Sequence, residues 1–366
     1  GTEIQMTKGG AELMAKLVPD GAVTLYYDNS AKLATTSTGI DVTGTVVSDG
    51  LTVAGNVSVD GGTIKLDGNY PVGTENVALG NGALSNLTSG VRNTAIGEIA
   101  GQSITEAGEA TLVGRQAGAS LTTGDSNTFI GGRAGLTATT GTENTAVGQA
   151  SLFSMTTGSS NTALGRGALL SNTTASNNTA VGRNSLNANT TGTRNTAVGA
   201  NAGDAMTTAS FNSLFGTHAG GSITTGNVNS AFGDYALNAN TTGTQNTAVG
   251  QAALTANTTA NNNTAVGYAA LLSNTTGDNL VAVGANALDA NTTGNYNIAM
   301  GSGALGATTT GNLNVGIGQA ALGSNTTASN NTAVGGDALA SNTTGTENVA
   351  VGKGAGDAIT TGGYNT

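Results

Sequence analysis

A seventeen-residue phrase recurs without interruption through most of this chain. Residues 246–262 read NTAVGQAALTANTTANN, and the phrase begins again at Asn263 as NTAVGYAALLSNTTGDN. One glycine closes the NTAVG-like part of each copy, and successive glycines are always 17 residues apart. Because a loop-tolerant domain array would drift in length, this constant period predicts coils stacked directly on one another. These glycines, here the glycine row, are Gly80, Gly97, Gly114, Gly131, Gly148, Gly165, Gly182, Gly199, Gly216, Gly233, Gly250, Gly267, Gly284, Gly301, Gly318, Gly335 and Gly352.

The residue types in each copy favour short strands over helices. Gly, Asn and paired Thr form helices poorly, Thr-Ala-Val steps suit strands, and Asn-Thr-Thr-Gly suits a turn. We therefore predict an all-β fold, an elongated β-solenoid or β-roll of 17-residue coils over residues 76–366. At one coil per strand spacing of ~4.8 Å, the rod would be roughly 80 Å long.

Positions counted from the glycine row predict which side chains face inward. The residue just before each glycine, the valine row, is always apolar, and we predict that it forms core. The residue two before, the alanine row, is nearly always Ala. The residue four before, the first asparagine row, is Asn except at Ala110 and Leu280, and stacked amides can bond along the axis. The valine row comprises Leu79, Ile96, Val113, Ile130, Val147, Leu164, Val181, Val198, Phe215, Phe232, Val249, Val266, Val283, Met300, Ile317, Val334 and Val351.

Two further rows compensate for each other in volume. The leucine row lies four residues after each glycine, and the second asparagine row lies seven after it. Leu in the leucine row is followed by Asn in the second asparagine row, as in Leu254 and Asn257, whereas Gly is followed by a large apolar residue. One large apolar group per coil is thereby kept, as expected of a packed interior. The exceptions, where packing should differ, are Leu84 with Leu87, Leu152 with Met155, Gly135 with Ala138 and Leu305 with Thr308.

Composition limits both the chemistry and the partners. Charged residues are 9%, aromatic residues 3%, cysteine is absent, and the net charge is −10, which argues against nucleic acid or an anionic membrane as partner. No signal peptide or long apolar span is present in the sequence. The large apolar groups of each coil are few for the entropy cost of ordering 17 residues. We therefore expect parallel chains to associate as a homotrimer, with a closed single-chain solenoid as the alternative.

Residues 1–75 lack the 17-residue step. Within residues 1–22, the stretch AELMAKLV predicts either a short helix or an edge strand. Residues 23–75 alternate apolar and polar residues between DG and GG turns, which predicts a β-rich shaft segment whose buried faces include apolar residues between Val42 and Leu66. Since the chain opens on Gly1 and stops early in another repeat, we expect a fragment or a processed piece.

Two resemblances follow from these motifs. Residues 21–44 resemble shaft segments of marine and cyanobacterial phage tail fibres, and the NTAVGxxALxxNTTG copies resemble repeats farther along such fibres. The repeat is also similar to the NSVAIG head repeats of YadA-like trimeric autotransporter adhesins, whose repeat is shorter and has a large aliphatic residue where this chain mostly has Thr. The resemblance implies a parallel trimer, and fibres of this class often end in a self-cleaving chaperone domain, which these residues do not contain.

Candidate catalytic and binding residues are few. With one histidine, no cysteine and no repeated carboxylate pair, we assign no catalytic, cofactor-binding or metal-binding residues. Glu98, Glu106 and Glu109 are where a polysaccharide-cleaving pair would be sought, although solvated turn residues are the simpler interpretation. The position five before each glycine varies freely, so it should face outward, and Glu75, Arg92 and Glu109 should form a weak ion ladder there.

Exposed aromatic residues give the candidate receptor site. His218 and Tyr235 share a position on adjacent coils, Phe211 lies at an outward position, and together they could contact carbohydrate or protein. Phe215 and Phe232 should fill the core. Arg166 and Arg183 could meet an anionic sugar, or equally be screened by solvent or a carboxylate.

The predicted function is therefore a structural fibre segment for attachment to a host-cell polysaccharide or protein, in a phage virion outside the cell. The alternatives are a bacterial trimeric adhesin head, a polysaccharide-cleaving tailspike, and an ice-binding solenoid displaying the threonine row, which lies eight after each glycine from Thr88 to Thr360.

Overall fold

The structure is a computed structural model that describes residues 3–10, 12–43 and 75–366. Contacts divide the chain into two compact units, Gly1–Lys65 and Leu66–Thr366. The described residues are all β or irregular, which confirms the predicted fold class.

The first unit contains a five-stranded antiparallel sheet whose strands neighbour one another in chain order: β1 (Ile4–Lys8), β2 (Glu12–Leu17), β3 (Val23–Tyr27), β4 (Ser30–Thr35) and β5 (Ile40–Val42). The stretch AELMAKLV contains β2, which pairs with both β1 and β3, so it is neither a helix nor an edge strand. The turn from β3 to β4 places Asp28 and Asn29 at φ 52° and 55°, as a two-residue hairpin turn requires. Val42 is exposed, which makes its predicted burial wrong, and the apolar residues after it lie outside the described residues.

The second unit is a parallel β-solenoid with the predicted 17-residue coil. Each coil contributes one three-residue strand, and equivalent residues pair between coils, as Ala146 does with Ala163. The seventeen strands are β6 (Val77–Leu79), β7 (Thr94–Ile96), β8 (Thr111–Val113), β9 (Thr128–Ile130), β10 (Thr145–Val147), β11 (Thr162–Leu164), β12 (Thr179–Val181), β13 (Thr196–Val198), β14 (Ser213–Phe215), β15 (Ser230–Phe232), β16 (Thr247–Val249), β17 (Thr264–Val266), β18 (Val281–Val283), β19 (Ile298–Met300), β20 (Val315–Ile317), β21 (Thr332–Val334) and β22 (Val349–Val351).

The glycine row is required by the stacking of coils. Its residues have φ between +126° and +142°. A Cβ on any of them except Gly352, the last of the row, would meet the backbone of the next coil. A Cβ on Gly250 would lie 2.4 Å from the backbone oxygen of Gly267 in the next coil. Since any side chain would hold neighbouring coils apart, only glycine fits this position.

The solenoid interior is formed by the alanine row and the leucine row, and the prediction that the valine row forms core is wrong. Ala248 and Leu254 are fully buried, whereas Val249 is 37% exposed. Successive strand residues point to opposite faces, so burial of the alanine row turns the valine row outward. Phe215 and Phe232 therefore do not fill the core either: Phe232 is 41% exposed.

The volume rule between the leucine row and the second asparagine row is confirmed. The leucine-row residues have left-handed φ, between 48° and 55° where they are Leu, which explains why Gly is the alternative there. Leu is retained because burying its side chain, worth about 1.5–3 kcal/mol, offsets a left-handed backbone that costs about 1–2 kcal/mol. Ile104 is fully buried in the coil of Gly101, as the rule predicts.

Large residues in the alanine row complete this packing. Leu112, Phe129 and Leu214 are fully buried and are the large members of that row. Each lies between two successive coils that carry Gly in the leucine row, and a Cβ on Gly135 would lie 2.5 Å from the Phe129 ring. Phe129 thus supplies the volume that Gly135 and Ala138 lack, which accounts for that exception.

Two buried asparagine ladders run along the solenoid. In the first asparagine row, Asn144 Nδ2 donates to Asn127 Oδ1 at 3.1 Å and to the Gly158 oxygen at 2.9 Å, as the sequence predicts. In the second asparagine row, Asn274 Nδ2 donates to Asn257 Oδ1 at 3.0 Å. These amides are buried, and most are hydrogen-bonded within the ladders, which limits the penalty of burying polar groups. The exceptions are the side-chain oxygens of Asn189, Asn291 and Asn342.

Candidate interaction surfaces

One face of the seventeen-strand ladder is partly exposed, and its two outward rows contain no charged residue. One is the valine row; the other, the strand-threonine row, consists of the first residue of each strand. Leu164 is 46% exposed and Met300 41%. Phe215 and Phe232 stack in the valine row, with ring centroids 4.8 Å apart and planes inclined by 4°. The strand-threonine row comprises Val77, Thr94, Thr111, Thr128, Thr145, Thr162, Thr179, Thr196, Ser213, Ser230, Thr247, Thr264, Val281, Ile298, Val315, Thr332 and Val349.

The predicted receptor residues form two separate groups. His218 and Tyr235 stack, with ring centroids 5.2 Å apart and planes inclined by 16°. The Nδ2 atom of Asn201 lies 3.4 Å from His218 Nε2, which extends this group by one coil. Phe211 instead lies under the guanidinium of Arg194, 5.3 Å from the ring centroid, and is 51% exposed.

The position five before each glycine faces outward as predicted. These seventeen residues and Tyr364, which is 17 residues after Glu347, are here called the corner row. All eighteen of its residues are exposed, and all have left-handed φ between 56° and 66°. None is glycine, although glycine adopts this conformation most easily. The corner row comprises Glu75, Arg92, Glu109, Ser126, Glu143, Ser160, Asn177, Arg194, Phe211, Val228, Gln245, Asn262, Asn279, Tyr296, Leu313, Asn330, Glu347 and Tyr364.

The carboxylates proposed for polysaccharide cleavage do not converge as a set. Glu98 pairs with Arg115 at 2.9 Å, and Glu109 pairs with Arg92 at 2.8 Å, with side chains more than half exposed. Glu106 and Glu109 line one groove with Asp125, and Glu98 is not part of that lining. The Arg92–Glu109 pair is the predicted ion ladder, and its exposure limits its contribution to stability.

Other predicted surface groups are largely bonded within the protein. Arg166 Nε donates to Gln149 Oε1 at 3.3 Å. The threonine row forms a ladder in which each hydroxyl donates to the backbone oxygen of the next member, as Thr241 does to Thr258 at 3.1 Å. The part-buried hydroxyls of this row are thus turned along the axis and not toward ice.

Burial perturbs two aspartates. Burial raises the pKa of the Asp204 carboxyl above its ordinary value, opposed by backbone hydrogen bonds and by nearby His218. Burial likewise raises the pKa of Asp289, again opposed by backbone hydrogen bonds. Both aspartates lie five residues after a glycine-row residue.

Within residues 3–10, 12–43 and 75–366 there is no cluster of three or more His, Cys, Asp or Glu side chains that could hold a metal ion. The same residues contain no helix long and apolar enough to cross a membrane. No protein-family model matches the chain, and no curated protein matches it significantly.

Proposed function

We propose that this chain is a rod segment of an extracellular attachment fibre, in which parallel copies associate side by side through the exposed sheet face. The observation that supports this proposal is the exposure of the valine row. This row is apolar in all seventeen coils and is about two-fifths exposed at Val249, Phe232 and Met300. An exposed apolar strip of this length is unusual on a soluble monomer and is typical of a protein contact. The strip repeats every coil, so parallel copies of the chain match its period without adjustment.

The repeat resembles those of phage tail fibres, and we therefore propose that the chain belongs to a fibre of a phage virion. A bacterial trimeric adhesin head is the alternative, since it would use the same coil and the same contact. Phe211, His218 and Tyr235 belong to the receptor-facing surface in either case. We assign the chain no catalytic role, and release of new reducing ends from host polysaccharide by the purified protein would contradict that.

The test is the mass of the purified protein by light scattering. A trimer has three times the 35.3 kDa mass of the chain. The variant Val249→Asp with Val266→Asp should remain folded by circular dichroism but fall to the mass of one chain, because both positions point outward. The matched variant Gln251→Asp adds one charge beside the strip and should leave the mass unchanged. A wild-type mass of 35.3 kDa would contradict the association.

One observation favours ice binding as a second candidate. The strand-threonine row and the valine row point to the same side of each strand, so Thr hydroxyls and Val methyls form one regular exposed array. The threonine row considered from the sequence lacks this geometry. Thermal hysteresis by a protein that light scattering shows to be a single chain would support ice binding on this face, and its absence would exclude it.

A further inference from the structure

The corner row keeps its side chains against the preference of its own backbone. Other left-handed positions of the coil use glycine where no side chain is needed, as at Gly167, Gly303 and Gly354. The corner row never does, and it carries Val228, whose β-branched side chain is among the least suited to this conformation. These residues gain little burial in return, since Val228 is 52% exposed and Tyr296 58%. Their side chains are therefore retained for what they present to solvent.

The corner backbone is held rigidly. Phe211 N donates to the Thr193 oxygen at 3.1 Å, and Tyr296 N donates to the Asp278 oxygen at 3.1 Å. The preceding residues are fixed by side chains of the next coil, as Ser210 N donates to Asn227 Oδ1 at 2.7 Å. A ligand meeting this row would not need to order the backbone, which lowers the entropic cost of binding.

The chemistry of the corner row changes along the axis. From Glu75 to Arg194 most members are charged or carry hydroxyls. From Phe211 to Leu313 the row contains no charged residue: an apolar pair, Phe211 and Val228, precedes three neutral amides, and a second apolar pair, Tyr296 and Leu313, follows them. The amides are Gln245, Asn262 and Asn279. Six coil steps separate Phe211 from Leu313, or about 29 Å at the strand spacing.

We propose that residues 211–313 of the corner row, here the neutral track, bind a linear neutral polysaccharide lying along the solenoid axis. Aromatic rings at the ends stack against the apolar faces of sugar rings, and the amides between them exchange hydrogen bonds with hydroxyl groups. Arg194 lies over the Phe211 ring at one end of the track. The corner-row residues from Val228 to Leu313 include no cation, so an anionic chain finds no counter-charge in the row along these coils. A row one side chain wide, repeating at each coil, fits a repeating linear polymer better than a globular protein surface. This proposal names the ligand class of the attachment function above and rests on it.

The test uses an array of linear neutral oligosaccharides, including cellohexaose, maltohexaose and xylohexaose, printed beside anionic oligoguluronates and unrelated peptides. The full chain should bind one or more neutral glycans. The variant Phe211→Asn with Tyr296→Asn should lose affinity by about tenfold or more, since two ring contacts are removed. Asn suits left-handed backbone, so this variant should unfold at no lower temperature than the wild type, and lost binding cannot then result from lost folding.

The control is Tyr364→Asn, which removes an aromatic ring from the corner row outside the neutral track and should leave affinity unchanged. Binding confined to anionic glycans or peptides, no binding to any neutral glycan, or equal binding by the double variant would each overturn the proposal. The mass of every sample is measured in parallel. A trimeric protein that binds no neutral glycan refutes the track alone, whereas a single-chain protein that binds refutes side-by-side association alone.

Discussion

The buried side-chain oxygen of Asn291 has no hydrogen-bond partner among the described residues because Thr308 occupies the equivalent position of the next coil. Where two successive coils carry Asn in the second asparagine row, the amide nitrogen donates to the amide oxygen one coil earlier, as Asn291 Nδ2 does to Asn274 Oδ1 at 2.9 Å. The Thr308 hydroxyl donates instead to the backbone oxygen of Asn325 at 3.1 Å. The two other unpaired oxygens, of Asn189 and Asn342, also end a run of this ladder, where the next coil supplies Met206 or Ile359.

Thr308→Asn should therefore join two ladder runs. The new amide would donate to Asn291 Oδ1 and accept from Asn325 Nδ2, beside a leucine-row residue, Leu305, that already matches the usual pairing. Satisfying a buried oxygen should raise the free energy of unfolding by about 1–3 kcal/mol. Chemical denaturation measures the change. Asn274→Thr, which opens the ladder at an intact position, is the matched variant and should lower stability; a less stable Thr308→Asn protein would refute the ladder account.

Gly250 and Gly303 are both glycine for different reasons: the first because the next coil leaves no room for a side chain, the second because of its left-handed backbone. Gly250→Ala should disrupt the solenoid, because the new Cβ would lie 2.4 Å from the Gly267 oxygen of the next coil. Gly303 has φ +64° and nothing within 4 Å of its Cβ position, so Gly303→Ala should cost only about 1 kcal/mol of left-handed strain. Thermal unfolding followed by circular dichroism compares them. Similar melting temperatures for the two variants would contradict the constraint assigned to the glycine row.

The features of the fold that were predictable from the sequence are those that every coil shares. A single insertion would break the pairing of equivalent residues such as Ala146 and Ala163, so the period alone specified stacked coils. Some coils pair Gly with a large apolar residue, as Gly101 with Ile104, and others pair Leu with Asn, as Leu254 with Asn257. This alternation predicted a packed interior of constant volume. Neither inference required knowledge of where the backbone turns.

The prediction of the inward face was wrong because it followed the hydrophobicity of the side chains and not their size. The interior of the coil is narrow, so the alanine row fits it, while the valine row tolerates Leu, Ile, Phe and Met because it faces outward. That tolerance, compared with the near-uniform Ala beside it, was the signal in the sequence. The left-handed backbone of the corner row had no comparable signal, since residues as different as Glu109, Val228 and Tyr296 occupy it.

The effect of Gly135→Leu on stability should change sign when Phe129 is replaced by Ala. Phe129→Ala removes a fully buried ring and should cost about 3–5 kcal/mol of unfolding free energy. Gly135→Leu should also destabilise the wild type, because its Cβ would lie 2.5 Å from the Phe129 ring. In the Phe129→Ala background the same Leu should restore part of the lost stability by filling the space. A double-mutant cycle measures this coupling, and additive effects would show that the two residues do not share one volume.

Asp204 should make the solenoid less stable as pH rises. Its pKa is raised by burial in the folded state, so the folded protein binds a proton more readily than the unfolded chain. Stability is then greatest below the ordinary aspartate pKa and is lost as pH rises through the raised value. Asp204→Asn should unfold at a higher temperature than the wild type at neutral pH, and this difference should shrink on acidification. The control is Asp337→Asn, which removes the same charge at an exposed position. Equal behaviour of the two variants would mean that burial of Asp204 does not affect folding.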